Sequence, residues 1–251
     1  MAETILVTGA SAGFGQAICR RLVADGHRVI GAARRIEKLQ ALHEELGEAF
    51  YPLQMDVTDL TQVDQALSSL PKAWEQIDVL VNNAGLALGL APAQKAEIAD
   101  WLTMIQTNII GLTYLTRQIL PQMVERNDGY VINMGSTAGT VPYPGANVYG
   151  ASKAFVKQFS LNLRADLAGK QIRVTNIEPG LCEGTEFSSV RFKGDEKRVE
   201  ALYRDAHAIQ PEDIANTVSW LIQQPKHVNV NRIEIMPVSQ TFGPQPVYRG
   251  D

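Results

Sequence analysis

Seven short apolar runs rich in strand-forming residues recur along the chain, most of them separated by stretches long enough for a helix. They are ILV at 5–7, VIGAA at 29–33, FYPLQM at 50–55, IDVLV at 77–81, YVINM at 130–134, IRVTNI at 172–177 and VNRIEIM at 230–236. A strand, a covering segment and a further strand form a β-α-β unit, and consecutive units of one hand build a mostly parallel sheet. Such a sheet is buried on both faces, which explains near-continuous apolar runs rather than strict alternation. The expected fold is therefore α/β: a doubly wound, about seven-stranded, mostly parallel sheet with helices on both faces.

At 251 residues with 45 % hydrophobic and 20 % charged content, the chain can bury one core, so a single domain over 1–251 is expected. Among the intervening segments, GQAICRRLVADGH at 15–27 mixes an apolar stripe with exposed charge, and Gly26 suits a helix stop. One segment breaks the rhythm. CEGTEFSSVRFKGDEKRVEALYRDAHAIQ, 182–210, is charged and lies between the sixth and seventh runs, so it reads as a substrate lid, not a linker. The Pro- and Gly-rich tail at 240–251 should be extended.

A net charge of -4 and a pI near 5.6 give no electrostatic reason to bind nucleic acid. Cys19 and Cys182 stand far apart, and His27, His43, His207 and His227 are dispersed, so neither a metal site nor a disulfide framework is expected. A strand-like run begins almost at once and no apolar run approaches ~18 residues. The chain is expected to be cytoplasmic, without a membrane partner.

After the first run come Gly9, Ala10, Ser11, Ala12, Gly13, Phe14 and Gly15, leading into the first helix. Glycines there permit a tight turn and bring a pyrophosphate close to free backbone N–H groups at a helix start. The spacing is GxxxGxG, and a tight turn alone would also account for it; its place at the first βα connection of a doubly wound sheet favours a dinucleotide. The second run ends in Arg34 and Arg35. An arginine pair at this strand end suits the 2′-phosphate of NADP(H) through charge-assisted bonds, the alternative being a solvated basic pair.

Further along, Asn83-Ala84-Gly85 follows the fourth run, Ser136 the fifth, and Tyr149 precedes Lys153 by four residues. An i, i+4 pair shares one helix face, though many inert helices carry such a pair. The ordered set, with the glycine turn, resembles the short-chain dehydrogenase/reductase family over nearly the whole chain, which implies a Rossmann domain. By that resemblance Tyr149 exchanges a proton with the substrate oxygen, Ser136 bonds that oxygen, and Lys153 holds the nicotinamide ribose and lowers the tyrosine pKa. A cation at about 4 Å and an effective dielectric near 20 would contribute up to ~4 kcal/mol, about three pK units. Asn108 resembles the asparagine of the family's proton relay, or else caps or kinks its helix. Asp56 and Val57 match the pair that contacts adenine, though Asp56 would also suit a turn or a helix cap. Pro179-Gly180 matches the turn beneath the nicotinamide. Thr185 lies six residues after that proline, where the family's carboxamide-binding threonine lies five.

NNAGLALG, GSTAGTVPYPGANVYGASKAFVKQFSLNLR and EPGLCEGTEFSSVRFKGD resemble the family's bacterial NADP-dependent 3-hydroxy acid dehydrogenases. The resemblance implies small substrates such as L-allo-threonine, serine, 3-hydroxypropionate and malonic semialdehyde, and a homotetramer that pairs the long helix near Tyr149. Such substrates carry a carboxylate. In SSVRFKGD, Arg191 offers a planar fork and Lys193 a point charge, unless both belong to a solvated loop. Asn147 is a candidate substrate contact or a helix cap. The alternatives to a 3-hydroxy acid dehydrogenase are a reductase of bulkier carbonyls and an NADP-binding sensor without catalysis.

Overall fold

Each of the seven apolar runs forms a strand. The computed structural model describes residues 2–242, in which β1 (Thr4–Thr8), β2 (Arg28–Ala33), β3 (Phe50–Gln54), β4 (Val79–Asn82), β5 (Gly129–Met134), β6 (Ile172–Pro179) and β7 (Arg232–Ile235) form one sheet. Its order is β3-β2-β1-β4-β5-β6-β7, and every pairing is parallel. The helices are α1 (Gly13–Ala24), α2 (Ile36–Leu46), α3 (Leu60–Ser68), α4 (Ile98–Ile105), α5 (Leu112–Arg126), α6 (Asn147–Asp166), α7 (Phe187–Arg191), α8 (Glu196–Tyr203) and α9 (Pro211–Gln223). This is a Rossmann-like α/β domain.

Because successive strand side chains point to opposite faces, β1 feeds two cores. Ile5 and Val7 join Ile18 and Leu22 of α1, Leu39 of α2 and Val218 of α9 on one face. Leu6 joins Val63 of α3, Leu115 and Ile119 of α5 and Leu163 of α6 on the other. Burying each such aliphatic side chain is worth roughly 1.5–3 kcal/mol, so both faces hold the sheet between them. A buried polar chain fixes β4 and β5 against the second layer. Asn82 Nδ2 donates to Thr116 Oγ1 (2.9 Å) and Asn133 Oδ1 (2.8 Å), and Asn133 Nδ2 donates to Ser160 Oγ (2.8 Å). Satisfied networks of this kind fix the mutual placement of the elements that carry them.

The chain winds from β1 out to β3, then crosses back to lay β4 beside β1. That reversal opens a crevice beyond the carboxyl ends of the strands, where ligands of open α/β sheets bind. Between β6 and α9 the excursion expected at 182–210 leaves and returns through a bridge between Cys182 and Ile209. Glu183 N donates to Ile209 O (3.0 Å) and Ile209 N to Leu181 O (3.1 Å), closing a flap that carries α7 and α8. The expected extended tail lies outside the described residues from 243 onward.

Candidate active site

The strand ends surround a cavity of about 620 Å³. Gly9, Ser11, Ala12, Gly13 and Phe14 line it, with Gly9 and Gly13 at φ +68° and +51°. α1 starts here without a side-chain cap and with no acidic residue in its first turn, leaving its N–H groups for an anion. A Cβ on Gly13 would come within 3.0 Å of Thr185, so the bare backbone keeps this channel open. The turn therefore fits a pyrophosphate. Two of its residues do not line the cavity. Ala10 is wholly buried in the core, and a Cβ on Gly15 would stand 2.2 Å from Gly9 O, so Gly15 serves the close approach of α1 to the turn.

After β4, Asn83, Ala84 and Gly85 line the cavity. The Asn83 side chain turns away from it, donating to Thr8 O (2.8 Å), while Thr8 Oγ1 accepts from Asn83 N (3.0 Å) and Ala84 N (2.9 Å). Thr8 thus fixes the loop, a role its position at a strand end did not signal. Asp56 and Val57 line the cavity as well. Asp56 Oδ1 accepts from Thr58 N (2.9 Å) and Oγ1 (2.8 Å), so the carboxylate does form a turn; the cap of α3 is Asp59. Arg34 and Arg35 stand at the mouth, where Arg35 pairs with Glu186 at 2.8 Å.

Tyr149 and Lys153 share the inward face of α6, 7 % and 6 % exposed. Lys153 Nζ donates to Met134 O (2.8 Å) and lies 5.9 Å from the tyrosine ring centroid. Ser136 follows β5 by two residues, its Oγ accepting from Ala138 N (3.1 Å) and donating to Pro179 O (3.4 Å). Burial pushes the Tyr149 phenol up to about 12, an effect the Ser136 hydroxyl and, further down, Arg191 offset in part. Burial also brings Lys153 down to about 8. Burial is the largest influence on the Tyr149 phenol and raises it, the opposite direction to that expected from Lys153.

Asn108 sits in a π-helical turn, Gln106–Gly111, between α4 and α5. Its Oδ1 accepts from Leu86 N (2.9 Å), and its Nδ2 donates to Leu86 O (2.9 Å) and Ser152 Oγ (3.0 Å). It is an anchor for the loop after β4, and π turns concentrate at such places. Pro179, Gly180 and Thr185 line the cavity; Thr185 Oγ1 accepts from Phe187 N (3.2 Å), and the residue lies beside Gly13.

Arg191 is 9 % exposed and lines the cavity, its guanidinium 5.3 Å from the Tyr149 ring centroid and 5.4 Å from that of Tyr143. Nε donates to Gly89 O (3.3 Å), whereas Nη2 is buried without a partner. Lys193 is paired with Asp100 (2.8 Å). Asn147 does not line the cavity, correcting its reading as a substrate contact. Its Oδ1 accepts from Trp101 Nε1 (3.1 Å) and Val148 N (2.8 Å), and its Nδ2 donates to Ala91 O (3.1 Å), so it joins α6 to α4. Tyr143, which the sequence did not single out, lines the cavity beside Arg191 from an irregular Pro-Tyr-Pro stretch without periodicity.

A family model described as short chain dehydrogenase matches residues 3–196. The chain belongs to the short-chain dehydrogenase family. It is 58 % identical over 245 residues to an NADP-dependent 3-hydroxy acid dehydrogenase of Salmonella typhi, covering 98 % of this chain and 99 % of that one. It is 51 % identical over 249 residues, 99 % of each chain, to a serine 3-dehydrogenase of Agrobacterium fabrum. Among solved structures it matches the closed form of a serine dehydrogenase complexed with NADP+ at TM-score 0.97 and 56 % identity, covering 98 % of this chain and 100 % of that one. The family's ordered motifs thus converge on one crevice, although Asn108, Asn147, Ala10 and Gly15 stand outside its lining. Among the described residues no helix is long and apolar enough to cross a membrane, and no group of three or more His, Cys, Asp or Glu residues is placed to hold a metal.

Proposed function

We propose that this short-chain dehydrogenase interconverts small 3-hydroxy acids and their 3-oxo forms with NADP(H). The observation that carries the substrate class is Arg191: a buried guanidinium whose Nη2 is fully buried and unpaired, facing the cavity beside Tyr149. Buried polar groups have partners, so an orphaned cation in a cavity implies an anion that arrives with the ligand. A carboxylate held there would put the adjacent carbons of a short hydroxy acid near the phenol. The similar NADP-dependent 3-hydroxy acid and serine dehydrogenases support the same reading.

The cofactor, when bound, supplies the hydride acceptor for oxidation and the hydride donor for reduction. Tyr149 gives its proton to the carbonyl oxygen in reduction and takes the hydroxyl proton in oxidation. With its phenol pushed up to about 12 by burial, Tyr149 is protonated at neutral pH, the form that donates in reduction, whereas oxidation starts from the minor phenolate form. Ser136 holds the reacting oxygen, Lys153 binds the nicotinamide ribose, and Asn108 fixes the loop after β4 against Ser152, the neighbour of Lys153 on α6. Gly9, Ser11, Ala12, Gly13 and Phe14 take the pyrophosphate, Asp56 and Val57 the adenine, and Asn83 to Gly85 the ribose side. Pro179, Gly180 and Thr185 close over the nicotinamide end. Arg34, whose side chain has no hydrogen-bond partner among the described residues, takes the 2′-phosphate. The 182–210 excursion is the substrate lid, and likeness to a closed serine dehydrogenase supports its being shut here.

The test is a steady-state comparison of L-allo-threonine, serine, 3-hydroxypropionate and malonic semialdehyde with both nicotinamide cofactors. Turnover of these acids with NADP(H) well ahead of NAD(H) is expected. Preference for a bulky uncharged carbonyl would refute the substrate class, and equal use of the two cofactors the role of Arg34. A cytoplasmic homotetramer is also proposed, supported by Ile98 and Leu102 on α4 and Phe155 on α6, which are apolar and exposed. A light-scattering mass of one chain would refute the assembly.

A further inference from the structure

The lid is fastened on both sides of α7. Toward the substrate, Gly89 N donates to Arg191 O (2.9 Å), Arg191 Nε returns a bond to Gly89 O (3.3 Å), and Lys193 pairs with Asp100 of α4 (2.8 Å). Toward the adenosine end, Glu186, which immediately precedes α7, spans two cations. Its Oε1 and Oε2 accept from Arg35 Nη1 (3.0 Å) and Nη2 (2.8 Å), and Oε1 also accepts from Lys38 Nζ (3.0 Å). The other edge of Arg35 is on Ser11 Oγ in the glycine turn, through Nε (3.2 Å) and Nη2 (3.1 Å).

Through Arg35, Glu186 therefore ties the lid to the start of α2 and to the turn before α1, neither of which the sheet joins to the lid. Arg35 and then Lys38 hold its carboxyl down to about 2, so it stands ionised at neutral pH. Between Glu186 and Arg191 lies little more than α7 itself, five residues, or about 8 Å of helix. So short a helix passes a shift at one end to the other. The arrangement also divides the arginine pair, because Arg35 already has its donors engaged while Arg34 stands at the cavity mouth without a side-chain partner among the described residues.

We propose that Glu186 is a positioning residue for the reaction: docked on Arg35 and Lys38, it sets α7 so that Arg191 presents its free nitrogen to the substrate carboxylate, and it leaves the 2′-phosphate to Arg34. This rests on Arg191 as the carboxylate receptor. Removing the Glu186 charge then has opposite effects at the two ends of the cavity. The lid is held less firmly and carboxylate capture weakens, while Arg35 and Lys38 become available to the phosphate, so cofactor binding does not weaken.

The experiment compares the intact enzyme with Glu186→Gln, Arg191→Ala and the double variant, measuring kcat/KM for serine and NADPH affinity by fluorescence titration. In Glu186→Gln, kcat/KM for serine falls about fivefold, through KM, the effect of an exposed ion pair at the upper end of its range. NADPH binds as tightly as before or tighter, and Glu186→Gln adds nothing once Arg191 is alanine. An unchanged kcat/KM, a parallel loss of NADPH affinity, or an equal fall in the Arg191→Ala background would each overturn the proposal. None of these would touch the role of Arg191, which its single variant decides by charged against uncharged substrates.

Discussion

Tyr149→Phe lowers kcat by about 10³-fold, the middle of the range for a positioned proton donor, while NADPH affinity changes little. The substitution removes one oxygen and keeps the ring, so the contact with Phe187, ring centroids 5.7 Å apart, survives. Ser136 retains its bonds to Ala138 and Pro179, and Lys153 its bond to Met134. Folding and cofactor binding are then preserved, and what is lost is the proton. The comparison is made by single-turnover hydride transfer with malonic semialdehyde beside an NADPH titration. It also separates a dehydrogenase from an NADP-binding sensor: in a sensor the phenylalanine variant would match the parent at both readouts. Undiminished turnover would remove Tyr149 from the chemistry.

The sheet was legible because it depends on short-range patterning. Seven apolar runs gave seven strands, and α1 ends at Ala24, capped by Asp25, with Gly26 at φ +87° just beyond. The proposed catalytic trio was legible for a different reason: Ser136 lies just past a strand end, and Tyr149 and Lys153 share a helix face, so local geometry delivers them to one crevice. What escaped depends on tertiary contacts. Asn147 lies two residues from Tyr149, yet Trp101, 46 positions away, takes its side chain. Glu186 looked like one more charge in a charged loop, and only the folded chain sets it against Arg35, 151 positions earlier. The tyrosine acidity was misjudged because sequence spacing supplies the distance to a cation but not the desolvation of the phenol, which here is the larger effect.

Arg191→Ala separates substrates by charge. For serine or 3-hydroxypropionate, kcat/KM falls by roughly 10²- to 10³-fold, the loss expected when one member of a buried hydrogen-bonded charge pair is truncated. For an uncharged secondary alcohol the change stays within about fivefold. That residual has its own source, because Arg191 lies against the Tyr149 ring and lowers the phenol behind burial, Ser136 and Tyr143 in importance. It touches every substrate equally, so the uncharged alcohol provides the baseline. Stability is a second control. The free enzyme holds Nη2 buried and unpaired, an arrangement that disfavours the folded state. Truncation relieves this strain as it removes the stacking on Tyr143, and the melting temperature moves little. Arg191→Lys recovers only part of the activity, since an ammonium cannot present two parallel donors to a carboxylate. Equal losses on charged and uncharged substrates would sink the assignment, for they would make Arg191 a support for Tyr149 and leave the carboxylate without a receptor.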